Sequence, residues 1–387
     1  MSFKMKKLFD TSYSITLTTI FATGLVSSAM LILKPLIVSG LIDDYHFSPA
    51  QAGYVVGIEM VGLSLASFIV ATFNKTWSRR YMLFFGATIG IFGGLGPVLT
   101  DAFIPILVCR FIAGIGCGLI AANVMSVIAT TLDPDRTFGL YYMTCYAGAA
   151  LLMTGGAWSL AHFHVRGIYI FLALLLFVTY ITVSLIPRGF TGLQDDNKGH
   201  VLPSFPLFEG GLCLGISMLF WVGLGAVWAF LERLGQQADV NSEAISFVLT
   251  FYAVAGFAGA FSASILHTHF GRIQLLIATI TGAVFSVALI GWASGLFSFA
   301  AGVIIFSYIW PLFLTYMGGT MAAIDSAGRV VAMSVTSQCI GMALGAAIGG
   351  ELSGRYGYIS IPVISMVCFL LALALLPLLA IKLRGVA

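Results

Sequence analysis

The sequence predicts an all-α membrane protein, with twelve transmembrane helices built as two pseudo-symmetric six-helix bundles. Three observations carry this. Of 387 residues, 59% are hydrophobic and only 9% are charged, against about 25% charged in a soluble globular chain; the mean hydropathy is +1.03. The apolar residues fall into twelve runs, each near the ~20 residues that a span needs. The two halves also repeat one another along the chain.

The first run, 14–41, follows Lys4, Lys6 and Lys7, and Val26-Ser27-Ser28-Ala29 has the form of a signal-peptide cleavage site. The run stays apolar to Ile42, too long for a signal h-region, so a retained helix is expected. Runs 51–73 and 80–99 follow after short connections. The fourth run, 102–131, is apolar apart from Arg110. Runs 138–161 and 166–187 complete an N-terminal bundle, 1–187. The polar stretch 188–206, with Asp195, Asp196, Asn197, Lys198 and Pro203, reads as a linker. The C-terminal bundle, 207–387, holds runs 207–234, 244–267, 273–294, 297–322, 331–351 and 359–381.

The repeat is visible in particular residues. Asp133 and Arg136 after the fourth run match Asp325 and Arg329 after the tenth, and Gly155-Gly156 matches Gly349-Gly350. A duplicated six-span unit is the build of many secondary transporters. Orientation follows from the basic residues. With the N-terminus inside, 13 Lys and Arg fall in inner segments and 3 (Arg166, Arg233, Arg355) in outer loops, which places both termini in the cytoplasm. The six cysteines all lie in apolar runs without CxxC or histidine spacing. They read as small buried hydrophobes, with neither disulfide nor metal expected.

Two stretches resemble the major facilitator superfamily. Ser264 to Arg272 is similar to its signature loop, G-x-L-a-D-R-x-G-R: Leu266, Gly271 and Arg272 match, while Ser264, Thr268 and His269 replace the first glycine, the acid and the first arginine. The N-terminal copy keeps Lys75 and Arg79, with Asn74 for the acid and Trp77 for the glycine. Arg110 to Gly118 resembles the family's fourth-helix motif, R-x-x-x-G-x-G-x-G, at every fixed position. The Gly-Pro of the drug-antiporter fifth-helix motif is absent before Gly155-Gly156. The resemblance implies the major facilitator fold and a proton-coupling role for the Arg110 region. It also implies gating at the inner loops, where Lys75, Arg79, Gly271, Arg272, Asp133, Arg136, Asp325 and Arg329 lie.

Three charges sit within N-terminal spans: Lys34, Glu59 and Arg110. Each lies eight or nine residues from the outer end of its run, about 12 Å deep at 1.5 Å per residue. Intramembrane charges face a bundle interior or a wet cavity and pair there, so a transport site and a structural ion-pair cluster are both open readings. Thr16, Thr23, Ser27 and Lys34 share one helical face, and Pro35 predicts a kink beside the lysine. In the repeat partner, Ser217, Trp221, Trp228 and Glu232 share a face, and Tyr308, Trp310 and Tyr316 add aromatics in the tenth run. Tyr142 and Tyr146, and Ser334 and Gln338, are one turn apart and offer hydrogen-bonding groups. Arg110, Gly114, Gly118 and Ala121 also share a face, and the glycines there read as a helix contact.

The expected solute-binding residues are therefore Lys34, Arg110, Ser27, Trp221, Trp228, Tyr142, Tyr308 and Gln338. Glu59, then Glu232, is expected to take the coupling proton. The expected function is secondary active transport of a small organic anion by alternating access, coupled to H+, by a monomer in a bacterial inner membrane. No cofactor is expected. Two alternatives stay open: an efflux pump of the drug/proton type for lipophilic or cationic compounds, and a non-transporting sensor or assembly partner. The sequence holds no nucleotide-binding loop, metal constellation or catalytic triad, so an enzyme is not expected.

Overall fold

The computed structural model describes residues 11–73, 79–129, 134–184, 207–266, 271–324 and 329–384. They form thirteen α-helices and no strand. In chain order these are α1 (Thr11–Ile32), α2 (Lys34–Asp43), α3 (Pro49–Phe73), α4 (Arg79–Leu99), α5 (Phe103–Ala129), α6 (Pro134–Ser184), α7 (Leu207–Ala229), α8 (Leu231–Gln237), α9 (Ser242–Leu266), α10 (Arg272–Gly291), α11 (Leu296–Ile324), α12 (Arg329–Tyr356) and α13 (Ser360–Arg384).

The described helices fit a twelve-span build. Among the described residues nine helices are long and apolar enough to cross a bilayer. The one inside α6 covers 44 residues and is two spans, because His164 breaks it with φ 59°. Left-handed backbone is unfavourable for a residue with a Cβ, and it falls where His162, His164 and Arg166 interrupt the apolar run. The bent pair α1–α2 is another span. The last is α12, 28 residues long, which Ser334, Thr336, Ser337 and Gln338 make more polar than its neighbours. The expected run 207–234 is not continuous: Phe230 (φ −110°, ψ 16°) separates α7 from α8.

By contact the helices fall into two compact units. One holds Met1–Leu33 with Val61–Gly199, the other Lys34–Met60 with His200–Ala387. The division therefore passes through the first two spans. In the first unit α1 packs on α5 and α6, and α4 on the same two. In the second α7 packs on α12 and α13, α10 on α11 and α13, α9 on α11, and α2 on α7 and α8.

The glycines after Arg110 are a packing surface, as expected. A Cβ on Gly116 would stand 2.6 Å from Gly90 Cα on α4, and one on Gly118 2.7 Å from the Leu63 carbonyl on α3. Backbone atoms cannot yield as a flexible side chain can. Gly116→Val is expected to lower stability by about 1–3 kcal/mol, the usual cost of overpacking. The check is the thermal midpoint of purified protein; an unchanged midpoint would show that α4 and α5 do not pack this closely.

Candidate functional site

Pro35 has no N–H to give the Leu31 carbonyl, and its ring crowds that carbonyl. The chain bends by 42° between α1 and α2, as the Lys34-Pro35 pair predicts. Lys34 opens α2 directly after the bend and is 1% exposed. It lies in the second unit, within electrostatic reach of Cys339 on α12, the residue after Gln338. Glu59 on α3 is also 1% exposed and belongs to the same unit.

Arg110 belongs to the first unit. It too is 1% exposed, and its guanidinium carbon lies 5.1 Å from the Tyr169 ring centroid, on the second half of α6. A desolvated cation over an aromatic face gains about 2 kcal/mol, so this contact ties α5 to α6. Sequence reading missed Tyr169, which shares the sixth span with Phe171, Phe177 and Tyr180 and carries no local signal of its own.

The polar face of α1 is bonded largely to itself. Thr23 Oγ1 donates to the Thr19 carbonyl at 2.8 Å and lies 3.0 Å from Thr182 Oγ1 on α6. Ser27 Oγ donates to the Gly24 carbonyl at 2.8 Å. Hydroxyls bonded this way leave little capacity for a solute. Tyr142 is 40% exposed and rests against Tyr141, with ring centroids 5.5 Å apart.

The aromatic side of the second unit is one connected cluster. Trp221 and Trp228 on α7 are both 1% exposed. Trp310 on α11 meets Trp221 at 5.6 Å, Trp228 at 6.2 Å and Tyr252 at 6.4 Å, each nearly perpendicular. Tyr308 points to a different side of α11, along the strip of exposed residues that includes Ile304.

At the far end of α7 a polar cluster joins α2 to α8. Arg233 Nη2 lies 2.6 Å from Asp43 Oδ1 and donates to the Ser39 carbonyl at 2.8 Å. Glu232 beside it is 4% exposed, and its Oε2 accepts no hydrogen bond. It stands beyond the span Leu207–Ala229. Burial raises its pKa to about 7, against the opposing pull of Arg233 and of a hydrogen bond from Ser39. Nearby, Tyr54 on α3 donates to Glu351 on α12, which also lies 3.6 Å from Arg355. Sequence reading took Arg233 as a loop charge; its partner Asp43 is 190 residues away, and Tyr54 and Glu351 are 297 apart, beyond any local pattern.

Of the expected gating residues, Lys75, Asp133 and Asp325 lie outside the described residues. Arg79 and Arg329 begin α4 and α12, and Arg136 lies in the first turn of α6. Gly271 caps α10, its N–H donating to Gln274 Oε1 at 3.0 Å, and the Arg272 side chain runs beside Gly319. Among the described residues no group of three metal-ligating side chains occurs.

A family model described as Major Facilitator Superfamily matches residues 17–346. The chain is 24% identical over 208 residues to a D-xylose transporter of Levilactobacillus brevis, covering 53% of this chain and 38% of that protein. It is 24% identical over 271 residues to the MFS-type transporter YcaD of Escherichia coli (strain 536), covering 65% and 66%. The chain thus spans less than two thirds of the length of these relatives. Among solved structures, the nucleoside transporter NupG (D323A mutant) superposes with a TM-score of 0.77 at 13% identity, covering 94% of this chain and 99% of that one. The human organic anion transporter MFSD10 does so with a TM-score of 0.67 at 15% identity, with the same coverage.

Proposed function

Because the chain belongs to the major facilitator superfamily, and is a solute transporter rather than an enzyme, we propose that it moves a small organic anion by alternating access, coupled to protons. The observation that carries this is Lys34: an ammonium 1% exposed at the bend between two half-helices of one span. A charge at that depth is costly unless it serves a partner or a pathway, and broken helices bracket the solute sites of secondary transporters. Lysine pairs with carboxylate and phosphate through charge-assisted hydrogen bonds. In this reading Gln338, next to Cys339 on α12, adds a hydrogen bond to the solute. The buried contact with Tyr169 gives Arg110 a structural task, so Lys34 is the first cation for the solute and Arg110 the second.

In this reading the moving bodies are the duplicated halves 1–187 and 207–387, joined by the linker 188–206. Both termini face the cytoplasm, in keeping with the distribution of basic residues, and the protein works as a monomer in a bacterial inner membrane. The inner loops that hold Lys75, Asp133, Asp325 and Arg272 gate the cytoplasmic side.

Glu59 takes the coupling proton. Replacing it by Gln fixes the neutral state without changing shape. In proteoliposomes Glu59→Gln is expected to abolish the response to an imposed pH gradient while solute exchange at equal pH persists. The readout is an internal pH dye together with counterflow of benzoate, the probe anion. Proton-driven uptake equal to wild type would remove Glu59 from the mechanism. The same vesicles separate the alternatives: flux of ethidium or tetraphenylphosphonium without anion flux is the result a drug efflux pump gives, and no flux of any probe is that of a sensor.

A further inference from the structure

The residue expected to meet the solute through its aromatic face is not where the sequence pattern put it. On α11, at about 100° per residue, Phe297, Ala301, Ile304 and Thr315 fall within roughly 60° of one another, and all are exposed. Phe297 (91%) and Ile304 (42%) mark this strip as the lipid-facing side. The opposite strip holds Phe299, Val303, Phe306, Phe313, Met317 and Met321, none more than 2% exposed. Trp310 lies within that buried strip, about 120° from Ile304 by the same count, yet it is itself partly exposed. Its uncovered surface therefore opens on the inner side of the second unit and not on lipid.

Two further features suit that position. Trp310 is fourteen residues into a 29-residue helix, about 21 Å from its start at 1.5 Å per residue, near the mid-depth where secondary transporters hold their solutes. Trp221, Trp228 and Tyr252 stand at 77°, 74° and 69° to it. Perpendicular packing of this kind is favourable for aromatic pairs, and three such neighbours fix the plane of the indole. Those three rings are themselves 1%, 1% and 6% exposed and pack around Trp310, which is the most open member of the cluster in this conformation.

We propose that Trp310 is the aromatic surface the solute meets, that Trp221, Trp228 and Tyr252 are its positioning residues, and that the solute carries a ring able to lie against an indole. The ring is an aryl or nucleobase π-face or the C–H face of a sugar. This rests on the reading of the chain as a transporter and is independent of the solute's charge.

The test uses the full chain in nanodiscs. Hydroxyl-radical footprinting read by mass spectrometry is expected to oxidise Trp310 and to spare Trp221 and Trp228. Thermal-shift titrations with benzoate, uridine, D-xylose and propionate then sort the chemistry. Trp310→Ala is expected to weaken binding of the ring-bearing probe about tenfold or more, the usual loss of a stacking partner, while Trp310→Phe keeps most of it and controls for folding. Benzoate binding that depends on Trp310 supports both the ring and the anion. Uridine or xylose binding that depends on Trp310, with no anion bound, keeps the ring assignment and removes the organic-anion reading. Propionate binding as tight as benzoate binding, untouched by Trp310→Ala, overturns the ring assignment and leaves the anion. Protection of Trp310 from oxidation, or no ring-bearing probe bound, also overturns it.

Discussion

Lys34→Ala is expected to weaken binding of the transported anion by about 3 kcal/mol, or roughly 100-fold, while the protein still accumulates in the membrane. The size comes from removing one member of a desolvated charge pair, which costs 2–5 kcal/mol because the other member is left buried. In the proposed complex the solute's carboxylate is one of the partners of this ammonium, so the loss appears in binding. The ammonium is 1% exposed and follows a 42° bend. Lys34→Met separates the two roles that a buried lysine can have. Methionine keeps the volume and removes the charge, and an apolar residue is easier to place in a bilayer than a cation. If Lys34 serves the solute, the Met variant accumulates and melts like wild type, yet binds no benzoate. If both variants fail to accumulate, or both bind benzoate normally, Lys34 is a structural charge and the anion site lies elsewhere. Measurement is by membrane yield, thermal midpoint and benzoate titration on the same preparations.

Much of the architecture was legible because a bilayer imposes a simple rule: backbone polar groups must be satisfied within a helix, so long apolar runs become spans. The Lys34-Pro35 bend was legible for the same local reason, a missing N–H. The glycines after Arg110 were legible as packing, since close approach needs small residues at helical spacing. What could not be read is what depends on pairs distant in sequence. The Arg110–Tyr169, Asp43–Arg233 and Tyr54–Glu351 contacts each join different helices. Nothing at one end predicts the other. The aromatic wall shows the limit most clearly. Helical spacing put Trp221 and Trp228 on one face correctly, but periodicity does not say which member of a cluster is covered by the rest. Trp310, named in the sequence only as a further aromatic, is the one left partly open. Tyr308, two residues away, turns to the lipid-facing strip. Hydroxyls on α1 misled for a different reason: Ser27 and Thr23 have carbonyl acceptors one turn back, and a sequence pattern cannot distinguish that bond from one to a solute.

Glu232→Gln is expected to make the protein more stable than wild type above neutral pH, and no different near pH 4. The carboxyl is 4% exposed, and burial raises its pKa from 4.5 to about 7. The groups facing it are Arg233 on α8 and Ser39 on α2, which favour the ionised form, and Asp43 on α2, which opposes it. Tyr358, ahead of α13, senses the same Arg233 and Asp43, and Glu243 on α9 is exposed to solvent. A carboxyl whose pKa is raised by folding holds its proton more tightly when folded. Stability therefore falls as pH rises from about 4.5 to about 7, and the loss is complete above that. The shift corresponds to a loss of about 3 kcal/mol at 1.36 kcal/mol per unit. Glutamine cannot ionise, so its stability curve lacks this fall. Thermal midpoints between pH 4 and 8.5 for wild type and Glu232→Gln measure it directly, and parallel curves would show that Glu232 is solvated. Arg233→Ala sharpens the test. It takes away the cation that favours ionised Glu232 and the tie from α8 to Asp43 and Ser39. Its fall in stability is expected to extend to higher pH than that of wild type, and adding Glu232→Gln to it is expected to abolish the pH dependence again. A proton taken up at Glu232 thus favours the docking of α2 on α8, and the end of the second unit that holds Asp43 is held more firmly at acidic pH than at alkaline pH.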